Sequence, residues 1–142
     1  MVMQVSLFLS SPFEQITPGR IGQVGANIKE SVMTGTITSP AKIRETAMRI
    51  AERFAPERVM LFGSHARGDA DEGSDVDLMV LFAEVDNPRE RAVEIYSALG
   101  DCGFSKDILV STVGRYERYQ NVPNTVYWPA SREGQLLYER GA

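Results

Sequence analysis

Two stretches decide the fold of this chain, Arg58-Val59-Met60-Leu61-Phe62-Gly63-Ser64 and, after ten intervening residues, Asp75-Val76-Asp77-Leu78-Met79-Val80-Leu81-Phe82. Both contain an apolar run of strand length; the first ends at a glycine, and the second carries acids only at its beginning. Because side chains alternate across a β-sheet, Asp75 and Asp77 are expected to point to one face, within roughly 7 Å of each other. The apolar residues between and after them point to the opposite face, which helices are expected to bury.

Helix signals surround these two strands. Ser39-Pro40 is an N-cap followed by proline at the first helical position, and apolar residues then recur at helical spacing. Asn87-Pro88-Arg89-Glu90 resembles a capping box and opens a second helix. A third strand is predicted from Lys106 to Val110, and a last one from Gln135 to Tyr138, with short helices between them. The order predicts an α/β (α+β) domain with a small mixed β-sheet flanked by helices.

Three carboxylates are expected to converge. Asp107 begins the third strand, and neighbouring strands lie about 4.8 Å apart, so Asp107 joins Asp75 and Asp77 if the strands pair. Acids side by side repel unless a cation lies between them, and two Mg²⁺ ions about 4 Å apart suit phosphoryl transfer. We predict two Mg²⁺ ions, with Mn²⁺ as an alternative, and Asp107 as the base for the acceptor hydroxyl. An alternative stays open for Asp107, because the adjacent Lys106 would also fit an ordinary pattern of surface charges in which Asp107 has no catalytic role.

A phosphate-binding turn is predicted just after the first strand. Gly63 allows close approach of the backbone, while exposed N–H groups and the Ser64 hydroxyl can hold phosphate oxygens. Arg67 lies in the same turn and can neutralise part of the negative charge of the phosphates. A structural role, in which Arg67 donates hydrogen bonds to backbone carbonyls of the turn, is equally compatible with the sequence. His65, the only histidine, is expected to be a bystander, because the acids already supply the ligands.

The combined pattern resembles the DNA polymerase β-type nucleotidyltransferase superfamily. That family's signature is Gly-Ser, a loop, then Asp-x-Asp and a third acid on a later strand, matched here by Gly63-Ser64, Asp75-Val76-Asp77 and Asp107. Ten residues between Ser64 and Asp75 are the spacing of its minimal branch, and residues 132–139 resemble that branch's last strand. The resemblance covers roughly residues 40–140 and implies the family's fold.

The resemblance also implies a function. Minimal nucleotidyltransferases are typically paired with HEPN-type toxins, and members of that pairing transfer AMP from ATP to a toxin tyrosine and so act as antitoxins. Only 35 residues follow Asp107, so the acceptor-binding domain of larger relatives is expected to be missing, which favours a folded protein as acceptor. Two alternatives stay open, namely a small-molecule transferase of the aminoglycoside type and a non-catalytic antitoxin that only binds its toxin.

The rest of the sequence sets limits. Residues 1–38 hold four charged residues and no sustained periodicity, which predicts a poorly structured extension before a domain at 39–142; Met33 is an alternative start. The net charge of −4 argues against binding of duplex nucleic acid. Cys102 is the only cysteine, which favours a reducing cytoplasm. The apolar stretch at residues 5–9 is too short to span a bilayer and lacks a basic leader, so neither membrane insertion nor secretion is expected.

Overall fold

The computed structural model describes residues 3–7 and 38–142, which contain five strands and five helices. The strands are β1 (Met3–Leu7), β2 (Arg58–Phe62), β3 (Val76–Phe82), β4 (Lys106–Thr112) and β5 (Gln135–Glu139). The helices are α1 (Pro40–Phe54), α2 (Ser64–Arg67), α3 (Pro88–Leu99), α4 (Val113–Tyr119) and α5 (Tyr127–Glu133). The predicted α/β class is confirmed.

The strands form one mixed sheet in the order β1-β4-β3-β2-β5. β3 and β4 run parallel, and the other three neighbouring pairs are antiparallel. The parallel pair is connected by α3, because parallel neighbours need a long crossover. This arrangement places the beginnings of β3 and β4, where the acids lie, at the same end of the sheet.

Helices α1 and α3 begin where the sequence predicts. The Ser39 side chain accepts a hydrogen bond from the Lys42 N–H at 3.2 Å, and Asn87 accepts one from the Glu90 N–H at 3.1 Å. A proline follows each cap, where the missing N–H costs nothing.

Both faces of the sheet are covered. On one face, α1 and α3 pack residues such as Ile43 and Ile95 against Val76 and Leu78 of β3. This face confirms the predicted burial of the residues that alternate with the acids. The second face carries a smaller cluster in which α4 and α5 cover the strands; its buried members are Met60, Phe62, Met79, Leu81, Leu109, Tyr116, Tyr127 and Ala130. The acids lie at the open end of this second face, beyond the reach of the cluster.

The N-terminal region departs from the prediction in one respect. Met3–Leu7 form the edge strand β1, whose register on β4 runs from Met3 opposite Val110 to Leu7 opposite Lys106. These five residues thus form a strand within the predicted poorly structured extension, and the last three of them belong to the apolar stretch noted in the sequence. Residues 8–37, including the alternative start at Met33, lie outside the described residues, and the domain boundary at residue 39 stays a prediction. Among the described residues, no helix combines the length and the apolar character needed to cross a bilayer.

The second face is held by a buried hydroxyl pair that provides a test of its packing. Ser111 Oγ and the Tyr127 hydroxyl lie 2.8 Å apart and are both buried. Replacing Tyr127 with Phe leaves the Ser111 hydroxyl without this partner, so the free energy of unfolding is expected to fall by about 1–2 kcal/mol. Chemical denaturation measures the loss, and Tyr119→Phe, on a half-buried ring of the same cluster, serves as the control with an expected change under about 0.5 kcal/mol. Equal losses of unfolding free energy in the two variants would show that the hydrogen bond between Ser111 and Tyr127 does not stabilise the fold.

Candidate active site

Asp77 and Asp107 occupy facing positions on neighbouring strands. Asp77 lies opposite Asp107 in the parallel register of β3 and β4, so the two side chains leave the same face of the sheet about 4.8 Å apart at the backbone. Asp75 directly precedes β3, which begins at Val76 rather than at Asp75 as the sequence predicted. The structure thus brings the three predicted acids to one end of the sheet, two of them on strands and one on the adjoining loop.

Gly63 follows β2 and packs against the Asp77 side chain. Phe62, the last residue of β2, pairs with Asp77 across the antiparallel ladder. Gly63 has a φ of 79°, and a Cβ at this position would overlap Asp77 Oδ2. Only glycine accommodates both the backbone angle and the carboxylate. The predicted phosphate turn and the central acid are therefore in direct contact.

The turn that carries Ser64 is firmly anchored. α2 is a single helical turn in which the Gly63 carbonyl accepts hydrogen bonds from the N–H groups of Ala66 and Arg67. From β5, Gln135 Nε2 donates a hydrogen bond of 2.9 Å to the Ala66 carbonyl. The first N–H groups of such a turn have no partner within the helix, which leaves them available to an anion. Gln135 was not foreseen, because nothing in the sequence indicates that β5 lies beside β2.

A closed loop leads from α2 to Asp75. Asp71 Oδ1 accepts hydrogen bonds from the Gly73 N–H at 3.0 Å and the Ser74 hydroxyl at 3.1 Å. His65 Nε2 lies 3.4 Å from the Ser74 carbonyl, directly before Asp75. His65 therefore ties α2 to the segment that presents Asp75, a structural contact that the prediction of a bystander did not include.

The electrostatics of the acids reflect their crowding. Partial burial raises the pKa of Asp77 to about 7, with further contributions from the charges of Asp107 and Asp75 and from a hydrogen bond to Asp107, while Arg67 acts in the opposite direction. The pKa of Asp75 is also raised, first by burial and then by Asp107, while His65 lowers it. A nearby cation would remove the repulsion among the acids, which adds to the effect of burial on both pKa values.

The donor set fits a divalent cation in its chemistry. Asp107 Oδ1 is buried and has no hydrogen-bond partner within the described residues. Such an atom is costly unless a ligand satisfies it, and hard cations take carboxylate oxygens. As the side chains stand, however, no group of three His, Cys, Asp or Glu side chains in the described part of the chain is arranged to hold a metal ion. The Asp77 carboxyl group is hydrogen-bonded to Asp107 and lies against Gly63.

Lys106 does not belong to a surface charge pattern with Asp107. Its side chain is fully buried, and its Nζ donates a hydrogen bond to the Gly100 carbonyl at 3.3 Å. Because successive side chains of a strand point to opposite faces, Lys106 lies on the α3 side of the sheet and Asp107 on the other. The alternative explanation of Asp107 as a simple surface partner of Lys106 is therefore wrong.

Arg67 is engaged with carboxylates. Its Nε lies 3.2 Å from Asp69 Oδ2, and one terminal nitrogen lies 3.3 Å from Glu133 Oε1 at the end of α5. The structure thus places Arg67 at the end of α2, in the predicted phosphate turn, and pairs it with two acids that the sequence analysis did not single out. No spacing in the sequence connects residues 67 and 133, so only the fold could reveal the second pair.

The fold and this site define a nucleotidyltransferase. The family model Polymerase beta, Nucleotidyltransferase, matches residues 42–141, and the chain belongs to that family. Over 57 residues it is 42% identical to a proposed protein adenylyltransferase of Methanocaldococcus jannaschii. That match covers 40% of this chain and 57% of the relative, so it spans little more than half of the relative's length. The expected superfamily and enzyme class are confirmed.

Two solved structures are similar in fold. One is a proposed nucleotidyltransferase from Sulfolobus solfataricus, 24% identical, with a TM-score of 0.49 over 70% of this chain and 79% of that one. The other is a toxin–antitoxin structure with AMP-PNP, 25% identical, with a TM-score of 0.45 over 69% of this chain and 74% of that one.

Proposed function

We propose that this nucleotidyltransferase transfers AMP from ATP to a hydroxyl group of a protein, a tyrosine of a HEPN-type toxin, and thereby acts as an antitoxin. The observation that carries the transfer reaction is the contact of Gly63 with Asp77, which faces Asp107. This contact brings the expected phosphate site at Gly63 next to the expected metal site at Asp77.

Each residue has a distinct role in this proposal. Asp75, Asp77 and Asp107 would hold two Mg²⁺ ions, or Mn²⁺, and bound ions would supply the positive charge that stabilises the reacting phosphoryl group. Gly63 lets the triphosphate approach the backbone, and the Ser64 hydroxyl and nearby N–H groups hold its oxygens. Arg67 adds positive charge beside them. The buried Oδ1 of Asp107, without a partner in the described residues, supports a ligand at this place.

The reaction is a substitution at the α-phosphorus. The acceptor oxygen forms a bond to this phosphorus, the bond to the oxygen bridging the α- and β-phosphates breaks, and pyrophosphate leaves. Asp107 accepts the proton of the acceptor hydroxyl and later returns it to solvent. Asp107 lies opposite Asp77 in the register of β3 and β4, so the proposed base is on the strand beside the one that carries Asp77.

The choice of a protein acceptor is supported by the name of the M. jannaschii relative, a proposed protein adenylyltransferase, at 42% identity over the matched segment. Ten residues separate Ser64 from Asp75, as in the minimal nucleotidyltransferases that the sequence resembles. Because those proteins are typically paired with HEPN-type toxins, we propose a toxin of this type as the acceptor.

The proposal is tested by co-expressing the protein with the product of a neighbouring gene that encodes a HEPN-type protein, because minimal nucleotidyltransferases and such toxins are often encoded side by side. Mass spectrometry of that product is expected to find AMP on a tyrosine when the native protein is present. With the Asp107→Asn variant the modification should disappear, while a variant of an exposed acid far from the site, Asp86→Asn, should leave it intact. If toxicity is neutralised without any AMP on the partner, the protein acts by binding alone.

The phosphate turn is tested separately at Ser64. A tryptophan at this half-buried position would occupy the space at the proposed phosphate turn, so Ser64→Trp is expected to weaken binding of Mg²⁺-ATP by at least about 10-fold while the fold survives. Calorimetry measures the affinity, and Ser97→Trp on the exposed side of α3 is the matched control. Normal binding by Ser64→Trp would place the phosphates elsewhere.

A further inference from the structure

The environment of Arg67 contains two carboxylates from different parts of the chain. Asp69 lies two residues away, whereas Glu133 is the last residue of α5. The side chains of Arg67 and Glu133 are each 41% exposed and that of Asp69 is 63% exposed, so water screens both ion pairs. Exposed pairs of this kind contribute about 0–1 kcal/mol each. The two pairs hold the guanidinium of Arg67 in one place. Because they are weak, a ligand that binds the guanidinium more strongly can displace them.

The backbone of the turn is held independently of these pairs. Gln135, two residues after Glu133, bonds the Ala66 carbonyl at 2.9 Å. Gly134 between them has no room for a side chain, because a Cβ would overlap the Ala130 carbonyl oxygen. The junction between α5 and β5 therefore lies at a fixed position against α2. Breaking the pair between Arg67 and Glu133 moves a side chain and leaves the turn where it is.

Arg67 is within electrostatic reach of the acids. Its positive charge acts on Asp77, the carboxylate that packs against Gly63. A triphosphate bound at Gly63-Ser64 would bring several negative charges into the same field. Arginine can bind phosphate through two parallel, charge-assisted hydrogen bonds, whereas each carboxylate here makes a single contact with Arg67, at 3.2 Å for Asp69 and 3.3 Å for Glu133.

We propose that Glu133 and Asp69 are positioning residues that hold Arg67 beside the proposed phosphate turn, and that a bound triphosphate draws Arg67 away from them. This rests on the proposed function, because it takes Gly63-Ser64 as the phosphate site. The two acids then compete with the nucleotide for one guanidinium. Their presence lowers nucleotide affinity and keeps Arg67 from pairing with Asp77 when no nucleotide is bound.

A double-mutant cycle tests the competition by calorimetric titration of Mg²⁺-ATP into the full chain. Glu133→Gln removes a competitor and is expected to lower the Kd by roughly threefold, the scale of one exposed ion pair. Arg67→Ala removes the phosphate contact and is expected to raise the Kd by about 10-fold or more. In the Arg67→Ala background, Glu133→Gln is expected to change the Kd by less than about 1.5-fold, because no guanidinium remains to be released.

Two controls separate this competition from general effects of charge and stability. Glu72→Gln makes the same charge change at an exposed acid of the neighbouring loop and is expected to leave the Kd within about 1.5-fold. Melting temperatures of all variants without nucleotide show that each is folded. An equal gain from Glu133→Gln with and without Arg67, or a weaker affinity in that variant, would overturn the inference. If the native protein transfers AMP but Arg67→Ala binds Mg²⁺-ATP normally, this inference fails and the proposed function stands; if the native protein does not bind Mg²⁺-ATP, both fail.

Discussion

Asp77→Asn is expected to lower AMP transfer by roughly a thousandfold or more, because a metal bound between the acids stabilises the transition state by several kcal/mol. Asn keeps the size of the side chain and its contact with Gly63, so the loss isolates the negative charge. Asp77 is the acid on which three features meet, namely the ladder to β2, the register with Asp107 and the contact with the turn.

The same substitution is expected to stabilise the protein without nucleotide, and the effect depends on pH. The pKa of Asp77 is raised to about 7 in the folded state, from about 3.9 in the unfolded chain. The folded state therefore holds the proton more tightly, and this contribution to stability is present below about pH 4 and lost as the pH rises through 7. Asn does not ionise, so its advantage is expected to grow over this window to roughly 1–2 kcal/mol at pH 8, a value discounted because solvent screens this partly exposed carboxyl.

Thermal unfolding at pH 5 and pH 8, with and without Mg²⁺-ATP, measures both effects in one series. The native protein is expected to gain stability from Mg²⁺-ATP, and Asp77→Asn to gain much less. Asp86→Asn makes the same chemical change at an exposed acid and should reproduce the native values. An Asp77→Asn protein that is less stable yet transfers AMP at the native rate would contradict the catalytic assignment.

Local sequence signals predicted the elements that position the site. Period-two alternation in the second stretch assigned its apolar residues to one face and the acids to the other, and the structure buries Val76 and Leu78 as expected. The caps at Ser39 and Asn87 predicted the starts of α1 and α3, because their side chains satisfy the first N–H groups of each helix. These features depend only on residues a few positions apart.

Contacts between distant segments could not be predicted in this way. The sequence placed Asp107 beside Asp77 only on the condition that their strands pair, and the pairing depends on the whole sheet. The pair of Arg67 with Glu133 joins residues 66 positions apart, and the edge strand β1 joins residues near the N-terminus to β4. Each depends on strand order, which short-range periodicity does not contain. A short apolar stretch such as β1 is equally compatible with several partners until the sheet edge is known.

Gly63→Ala is expected to have the second large effect, because the added methyl group affects both the turn and the acid. At a φ of 79° an L-residue is strained, which costs on the order of 1–3 kcal/mol. The methyl group would also overlap Asp77 Oδ2 and push that carboxylate aside. A shift of about 1 Å in a catalytic group can lower a rate about 100-fold, so transfer is expected to fall by at least that factor in the folded protein.

Gly100→Ala separates the strain from the displacement of Asp77. Gly100 also has a positive φ, 63°, but a Cβ there meets nothing within 4 Å, and it lies at the end of α3. This variant is expected to lose on the order of 1–3 kcal/mol of stability, the same backbone strain as at Gly63, and to keep its rate of AMP transfer, whereas Gly63→Ala should lose both. Denaturation curves and transfer of label from [α-³²P]ATP, measured at temperatures where each variant is fully folded, make the comparison. If Gly63→Ala transfers AMP as fast as Gly100→Ala, the contact between the turn and Asp77 has no part in the chemistry, and the proposed site would have to be placed away from Gly63.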